Sequence, residues 1–349
     1  MAQYTLTRAG RTWHFVAGIA NDSVMVGVRY PSSIAIAPDG HIFVLSRGMP
    51  TENPDALGDG GKIGKWHLDG TRIGDYARNE FTWTAGIAVA ADGDVYCADE
   101  HDNFIAAFPP NGPFRPFPEF NPDGEFKFKW GEPGSAHGQL NSPSGLVFDQ
   151  HDDLLVVDSR NNRVQKFTKE GVRLSGWGAR GVGEGEFDRP WGICVDKDGF
   201  VYVADWGNHR VQKFTPDGEY VMTFGSHLDS GGDLKHPSDV AVDSDDDVYV
   251  IDWGNKRVQI YEPDGEIIGA LHGNATDPYD RNVKDAFTLT DDARKADARI
   301  DSGALIGRFD RPIGIAIDGE DRIYVAETRR CRIQIYGKDK AFVEAPPDA

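Results

Sequence analysis

The chain has 349 residues, a formal net charge of −19 and 39% apolar residues. This excess of acid argues against nucleic acid or an anionic membrane surface as a partner, because such binding depends on basic patches. The longest apolar runs have the length of strands, so we expect no membrane-spanning segment.

Paired apolar runs recur along the chain. The runs are short, rich in Val, Ile, Tyr and Phe, and bounded by Gly, Asp and Pro, which is typical of β-strands. In five of the six pairs a proline stands two residues before the first run. In chain order the pairs are SIAIA and HIFVLS, GIAVA and DVYCAD, GLVFD and DLLVVD, GICVD and FVYVAD, DVAVD and DVYVID, and GIAID and RIYVAE.

A third run follows each pair and is the most repetitive part of the sequence. DWGNHRVQKFTPDG begins at Asp205, and DWGNKRVQIYEPDG begins at Asp252, 47 residues later. The Asp-Gly pairs that end these phrases favour hairpin turns, because Gly accepts positive φ. A fourth run then completes a four-stranded antiparallel unit, as in YVMTFG. Six such units predict an all-β fold, a six-bladed β-propeller.

The last unit lacks a fourth strand, whereas the N-terminal region contains a spare one, TWHFVAG at Thr12–Gly18. We expect residues 12–18 to pair as the outer strand of blade six and to close the ring, because an unpaired edge promotes aggregation. All six units then belong to one ring. The sequence therefore predicts a single domain over residues 1–349.

The unit resembles the NHL repeat in its spacing of Pro-x-Gly-(Ile/Leu)-x-(Val/Ile)-Asp, then Tyr-Val-x-Asp, then Asn-x-Arg-(Val/Ile)-Gln-x-(Phe/Tyr). Within that fold the chain is similar to the peptidyl-α-hydroxyglycine α-amidating lyase family of zinc enzymes. That family places zinc-binding histidines directly after the blade proline, and this chain lacks such Pro-His motifs. The resemblance also implies a channel calcium, for which Asp239 is the candidate ligand. The residues at the histidine places are Ser32, Ala85, Ser144, Trp191, Ser238 and Ile313.

Long connections identify the face on which a site is expected. Strands alternate in direction, so the loops between strands two and three lie on the same face as the connections between blades. Two insertions fall there, residues 47–61 and 274–311, and we interpret them as lids over a pocket. A third insertion, residues 109–120, falls on the opposite face.

The same count predicts which residues surround the pocket. Arginine pairs with carboxylate or phosphate, and histidine titrates near neutrality. The recurrence of Trp206 and Trp253 between repeats leaves packing between blades as an alternative role. The candidates are His101, Glu100 and Arg160 for catalysis, Arg47, Arg329, Trp191, Trp206 and Trp253 for substrate binding, and Asp239 and His101 for a metal ion.

These features favour a lyase or hydrolase that acts on a small substrate, anionic and partly apolar or aromatic, in a lidded pocket. A divalent metal, zinc or calcium, is the one cofactor that the sequence suggests. The alternatives are a non-catalytic ligand-binding propeller and a protein-interaction platform. Three cysteines and no N-terminal signal pattern favour free thiols in the cytoplasm. The oligomeric state stays open.

Overall fold

A computed structural model describes residues 5–8, 11–19, 28, 30–47, 61–77, 80–110, 126–225, 234–273 and 309–339. Most of residues 47–61, 274–311 and 109–120, the predicted lids and the third insertion, lie outside these ranges. Within the described part of the chain, no helix has the length and apolar character needed to cross a membrane.

The described residues form six blades of antiparallel strands around a central channel, as predicted. The first three blades contain strands β3 to β14, each running from the innermost strand outwards. Blade one is β3 (Pro31–Ile36), β4 (Ile42–Ser46), β5 (Lys62–Trp66) and β6 (Arg72–Tyr76); blade two is β7 (Thr84–Val89), β8 (Val95–Asp99), β9 (Phe104–Phe108) and β10 (Phe128–Trp130); blade three is β11 (Pro143–Phe148), β12 (Leu154–Asp158), β13 (Arg163–Phe167) and β14 (Arg173–Trp177).

The remaining blades follow the same order, after a short parallel pair in the connector that leads to blade four. That pair is β15 (Ala179–Arg180) and β16 (Glu186–Phe187); blade four is β17 (Pro190–Val195), β18 (Val201–Asp205), β19 (Arg210–Phe214) and β20 (Tyr220–Phe224); blade five is β21 (Pro237–Val242), β22 (Val248–Asp252), β23 (Arg257–Tyr261) and β24 (Ile267–Leu271); blade six begins with β25 (Pro312–Ile317), β26 (Ile323–Glu327) and β27 (Arg332–Asp339).

The N-terminal strand closes the ring. Strand β2 (Arg11–Ile19) pairs antiparallel with β27, which confirms the predicted pairing. A further strand, β1 (Thr5–Arg8), pairs with the outer side of β2. The closing strand is therefore the fourth of five in blade six, and β1 protects its edge.

Apolar packing lies between the blades. Six clusters of buried side chains occupy the six interfaces between neighbouring blades. Both faces of each sheet are apolar, and each face packs against a different neighbouring blade. The cluster between blades five and six includes Trp13 of the closing strand. Ring closure therefore also completes the core.

The repeated phrase has a structural role in each blade. In blade four the buried Asp205 ends the second strand and accepts the backbone N–H of Asp188 at 2.8 Å. The guanidinium Nε of Arg210 donates to the same carboxylate at 3.0 Å. Blades three and five repeat this pair as Asp158 with Arg163 and Asp252 with Arg257. The acid and the arginine therefore fix the connection between blades to the second strand.

Candidate functional site

The residue that follows each second strand lies beside the entrance of the central channel. In blades one, two, three and six its backbone N–H donates to the carbonyl of the residue before the innermost strand of the same blade, as from Arg47 to Tyr30 at 3.0 Å. We call these positions the inner ring: Arg47, Glu100, Ser159, Trp206, Trp253 and Thr328. The Thr328 hydroxyl extends further and donates to the Pro31 carbonyl of blade one at 2.9 Å.

The next residue along the chain lies over the connection between blades instead. The Arg160 N–H donates to the Asn141 carbonyl at 3.0 Å, and Gly207 makes the equivalent bond to Asp188 at 2.8 Å. We call these positions the outer ring: His101, Arg160, Gly207, Gly254 and Arg329. The predicted site residues therefore divide between two rings, which the sequence count had treated as one set.

The structure brings Arg47 and Glu100 together. The Arg47 guanidinium donates through Nε to the Thr84 carbonyl at 2.9 Å, and its Nη2 lies 3.3 Å from Glu100 Oε1. Its carbon Cζ lies 5.2 Å from the ring centroid of Trp83. Because Trp83 is 49% exposed, one aromatic side chain at this cluster stays open to solvent.

Burial changes the proton affinity of both members of this pair. Desolvation raises the pKa of Glu100 above its ordinary value, although the positive charges of Arg47 and Arg160 oppose that rise. Desolvation likewise lowers the pKa of Arg47, with Glu100 acting in the opposite direction. Arg160 itself is exposed on the outer ring, and no described carboxylate lies within 4 Å of its guanidinium. The cluster therefore combines a carboxyl of raised pKa with an exposed cation.

Trp206 already has partners. Its ring stacks on His236 with centroids 4.0 Å apart and an interplanar angle of 24°, and the Arg189 guanidinium lies 4.9 Å from it. The backbone N–H of His236 donates to His209 Nδ1 at 3.0 Å. Burial, together with the neighbouring His236 and Lys235, lowers the pKa of His209. Trp206 thus belongs to a stack of cationic and aromatic side chains.

The other predicted residues lie apart from the Arg47–Glu100 pair. His101 is exposed and pairs through Nδ1 with Asp102 at 2.8 Å. Arg329 is 65% exposed and lies 3.9 Å from Asp310. Trp191 and Trp253 are half-buried at the channel entrance.

Sequence reasoning did not select Trp83 or Arg189. It assigned His236 to the face of the connections between blades but did not select it as a site residue. All three stand directly before the first residue of an innermost strand. Arg189 and His236 have φ of 50° and 54°, in the left-handed region. The residue directly before each innermost strand varies between repeats. That variation could have marked this position in the sequence as a candidate part of the site.

Three serines stand directly after a blade proline, where the lyase family has zinc-binding histidines, and they join neighbouring blades. Ser32 Oγ lies 3.0 Å from Thr84 Oγ1, and Ser144 Oγ donates to the Trp191 carbonyl at 2.9 Å. Ser238 Oγ donates to the Ile313 carbonyl at 3.1 Å. These hydroxyls form part of the contact between innermost strands.

Asp239 lines the channel itself. Its Oδ1 accepts the Val240 N–H and its Oδ2 accepts the Ile315 N–H of blade six, each at 3.0 Å. Desolvation raises the pKa of Asp239 to about 7, and these two hydrogen bonds oppose the rise. Asp239 and the exposed His101 lie in blades five and two and do not form one metal site. Among the described residues, no three His, Cys, Asp or Glu side chains are placed to hold a metal ion.

Comparison with known families identifies the repeat. The NHL repeat family matches residues 140–167, 187–214, 234–261 and 309–336. Four of this chain's six blades are NHL repeats. The four matches coincide with blades three to six, whereas blades one and two depart from the repeat and contribute Arg47 and Glu100.

Two curated relatives match short parts of this NHL propeller. The B-box type zinc finger protein ncl-1 of Caenorhabditis elegans is 26% identical over 125 residues, which are 34% of this chain and 14% of that protein. The protein brain tumor of Drosophila melanogaster is 44% identical over 43 residues, 12% of this chain and 4% of that protein. The NHL propeller therefore matches only a small part of either relative.

Solved structures share the fold over nearly the whole NHL propeller. A streptogramin B lyase has a TM-score of 0.54 and 14% identity, covering 94% of this chain and 98% of its own. Virginiamycin B lyase from Staphylococcus aureus, solved with quinupristin, has a TM-score of 0.53 and 16% identity, and the match covers 96% of this chain and 94% of the lyase. A gluconolactonase from Xanthomonas campestris has a TM-score of 0.55 and 14% identity, and the match covers 95% of this chain and 91% of the gluconolactonase. At these identities the likeness shows the fold alone.

Proposed function

We propose that the channel entrance binds a small anionic molecule with an apolar or aromatic part and acts on it as a lyase or hydrolase. The observation that carries the proposal is the half-buried Arg47–Glu100 pair beside the exposed Trp83. In this proposal Arg160 binds the carboxylate of the substrate, because its guanidinium is exposed. Trp83 contacts the apolar part.

Glu100 is the proposed acid or base. A carboxyl whose pKa is raised by burial transfers protons more readily near neutral pH than an ordinary glutamate does. Arg47 lies 3.3 Å from it and stabilises the ionised form. A substrate anion at Arg160 would weaken the effect of that arginine on Glu100 and so raise its proton affinity further. Substrate binding would thereby favour the protonated acid.

The fold comparisons support a catalytic role without identifying a substrate. Two of the similar structures are named as lyases and one as a gluconolactonase, so propellers of this shape accommodate both elimination and lactone hydrolysis. A cyclic ester with a carboxylate or aromatic substituent is therefore the first substrate class to test.

The test is a panel of lactones, cyclic depsipeptides and aromatic carboxylates, followed by thermal shift and by product analysis. We expect turnover of one class, with kcat/KM reduced about 10²-fold or more in Glu100→Gln. Arg160→Ala should raise KM with little change in kcat. The matched control is Glu184→Gln, an exposed glutamate in a blade connector. Equal activity of Glu100→Gln and Glu184→Gln would refute the assignment.

The relatives favour a second candidate, recognition of a protein segment. The relative ncl-1 is a B-box type zinc finger protein, and the match to it covers 34% of this chain. In this reading the exposed Trp83 would anchor a peptide at the entrance. Selection from a peptide library separates the two candidates: peptide binding that Trp83→Ala abolishes and Glu100→Gln preserves would favour recognition over catalysis.

A further inference from the structure

The central channel is a cavity of about 260 Å³, lined by the innermost strands of all six blades. Aliphatic residues such as Ile36, Val89, Ile193 and Ile317 line it, together with polar surface that includes the strand backbones. Among the described residues that line it, Asp239 is the one acid. The channel therefore places one carboxyl group among aliphatic residues and strand backbone.

The fold does not require an acid at this place. The corresponding residue is glycine in four other blades, namely Gly86, Gly145, Gly192 and Gly314, and Ser33 in blade one. No described lysine, arginine or histidine lies within 4 Å of the Asp239 carboxyl, so its charge has no partner cation. Its two backbone hydrogen bonds fix its direction and leave its charge uncompensated.

We propose that the channel is a second binding site, for a protonated primary amine with a short alkyl chain. The ammonium group would pair with Asp239, and the alkyl chain would contact the aliphatic wall. An ion pair in such a low-dielectric space offsets the cost of ionising the buried carboxyl. This site is separate from the Arg47–Glu100 pair and does not depend on the function proposed for it.

An alkylammonium fits these groups better than a divalent metal does. Calcium takes six to eight oxygen ligands, and here a single carboxylate has both oxygens engaged by N–H groups. An ammonium needs fewer acceptors, and its alkyl chain gains from apolar walls that a metal ion would not use.

Amine binding must then depend on pH. An alkylamine stays protonated to about pH 10, whereas Asp239 loses its proton near pH 7. On the strands packed against β21, the titratable group that faces Asp239 is Cys194, and burial together with the Asp239 charge keeps its thiol protonated. Binding should therefore strengthen as pH rises through 7 and become constant above it.

The probe is n-butylammonium chloride, compared with sodium chloride at equal ionic strength by thermal unfolding at pH 6 and pH 8. We expect a saturable rise in Tm of about 2 °C at pH 8, a smaller one at pH 6, and none in Asp239→Asn. The proposal is overturned if butylammonium acts like sodium, if Asp239→Asn keeps the full effect, or if calcium chloride alone gives the saturable rise.

A second measurement uses the wild-type protein, so that it does not depend on the stability of the variant. Cys194 lines the same channel, whereas Cys331 lies in the turn before β27. Saturating butylammonium should slow alkylation of Cys194 at least threefold and leave Cys331 unchanged, as measured by mass spectrometry of peptides. Equal rates at Cys194 with and without the amine would exclude binding in the channel.

Discussion

The ammonium group of Lys338 lies 2.6 Å from the carboxylate of Asp243, and both side chains are fully buried. Lys338 belongs to strand β27 of blade six, and Asp243 follows the innermost strand of blade five. The same ammonium lies 2.9 Å from Asp245 and 2.8 Å from Asp247. One lysine therefore ties the blade that closes the ring to its neighbour.

Replacing this lysine should weaken the whole ring. We expect Lys338→Met to lower the free energy of unfolding by about 3–5 kcal/mol, because it leaves the buried Asp243 carboxylate without the Lys338 ammonium. Chemical denaturation measures the change. The control is Lys197→Met, which breaks an ion pair of 2.9 Å with Asp246 in which Lys197 is 50% exposed, and should cost much less because solvent screens an exposed pair. Equal losses would show that Lys338 does not hold the ring closed.

Two glycines at the same place in the repeat should respond differently to alanine. A Cβ at Gly192 would lie 2.3 Å from Asp239 Oδ1 and 2.6 Å from the Ser238 carbonyl oxygen. At Gly314 the nearest atom would be Ser33 Cα at 3.3 Å. We therefore expect Gly192→Ala to cost about 3 kcal/mol or more and Gly314→Ala about 1 kcal/mol or less, measured by urea unfolding. The reverse order would contradict the packing of blades four and five.

Asp239 should make the stability of the protein fall with increasing pH. Because its pKa rises from 3.8 in the unfolded chain to about 7 in the folded protein, the folded protein holds this proton longer. Its contribution is fully present below pH 3.8, declines as pH rises, and is lost above pH 7, a change of about 4 kcal/mol.

The measurement is the unfolding free energy of wild type and Asp239→Asn from pH 4 to pH 8. The difference between the two proteins should shift in favour of the variant as pH rises, since asparagine does not titrate. Parallel curves would show that Asp239 ionises as it does in the unfolded chain.

Glu100 acting as a base should set the acid side of the activity profile. Its pKa is raised by burial, so a reaction that needs the carboxylate should lose rate at a pH above 4.5, the ordinary value for glutamate. Arg47→Met should raise that midpoint further, because it removes a positive charge 3.3 Å away. The profile of kcat/KM against pH measures both shifts. A midpoint that Arg47→Met leaves unchanged would mean that another group controls the reaction.

Local sequence patterns were sufficient to predict the fold. Short β-branched and aromatic runs, Asp-Gly turns and a fixed repeat defined the blades, and the spare strand at residues 12–18 identified the closure. Each of these signals lies within one blade or at its edge. Strand formation and hairpin turns depend on neighbouring residues, which explains why the sequence alone determined them.

The candidate site could be predicted only in part. Sequence counting placed Arg47, Glu100 and Arg160 on one face, but it did not separate the inner ring from the outer ring. A shift of one residue after a strand changes whether a side chain faces the channel or the blade connection. It also missed Trp83, because that residue precedes its strand and meets Arg47 across a blade interface.

The tertiary structure alone decided the environment of each charge. The sequence determined that an acid stands at position 239 where four other repeats have glycine. The ring then placed that carboxyl between blades four and six, where it lines the central channel, and burial raised its pKa to about 7. Desolvation depends on side chains that are distant along the chain, so the proton affinities of Asp239 and Glu100 arise only when the six blades close.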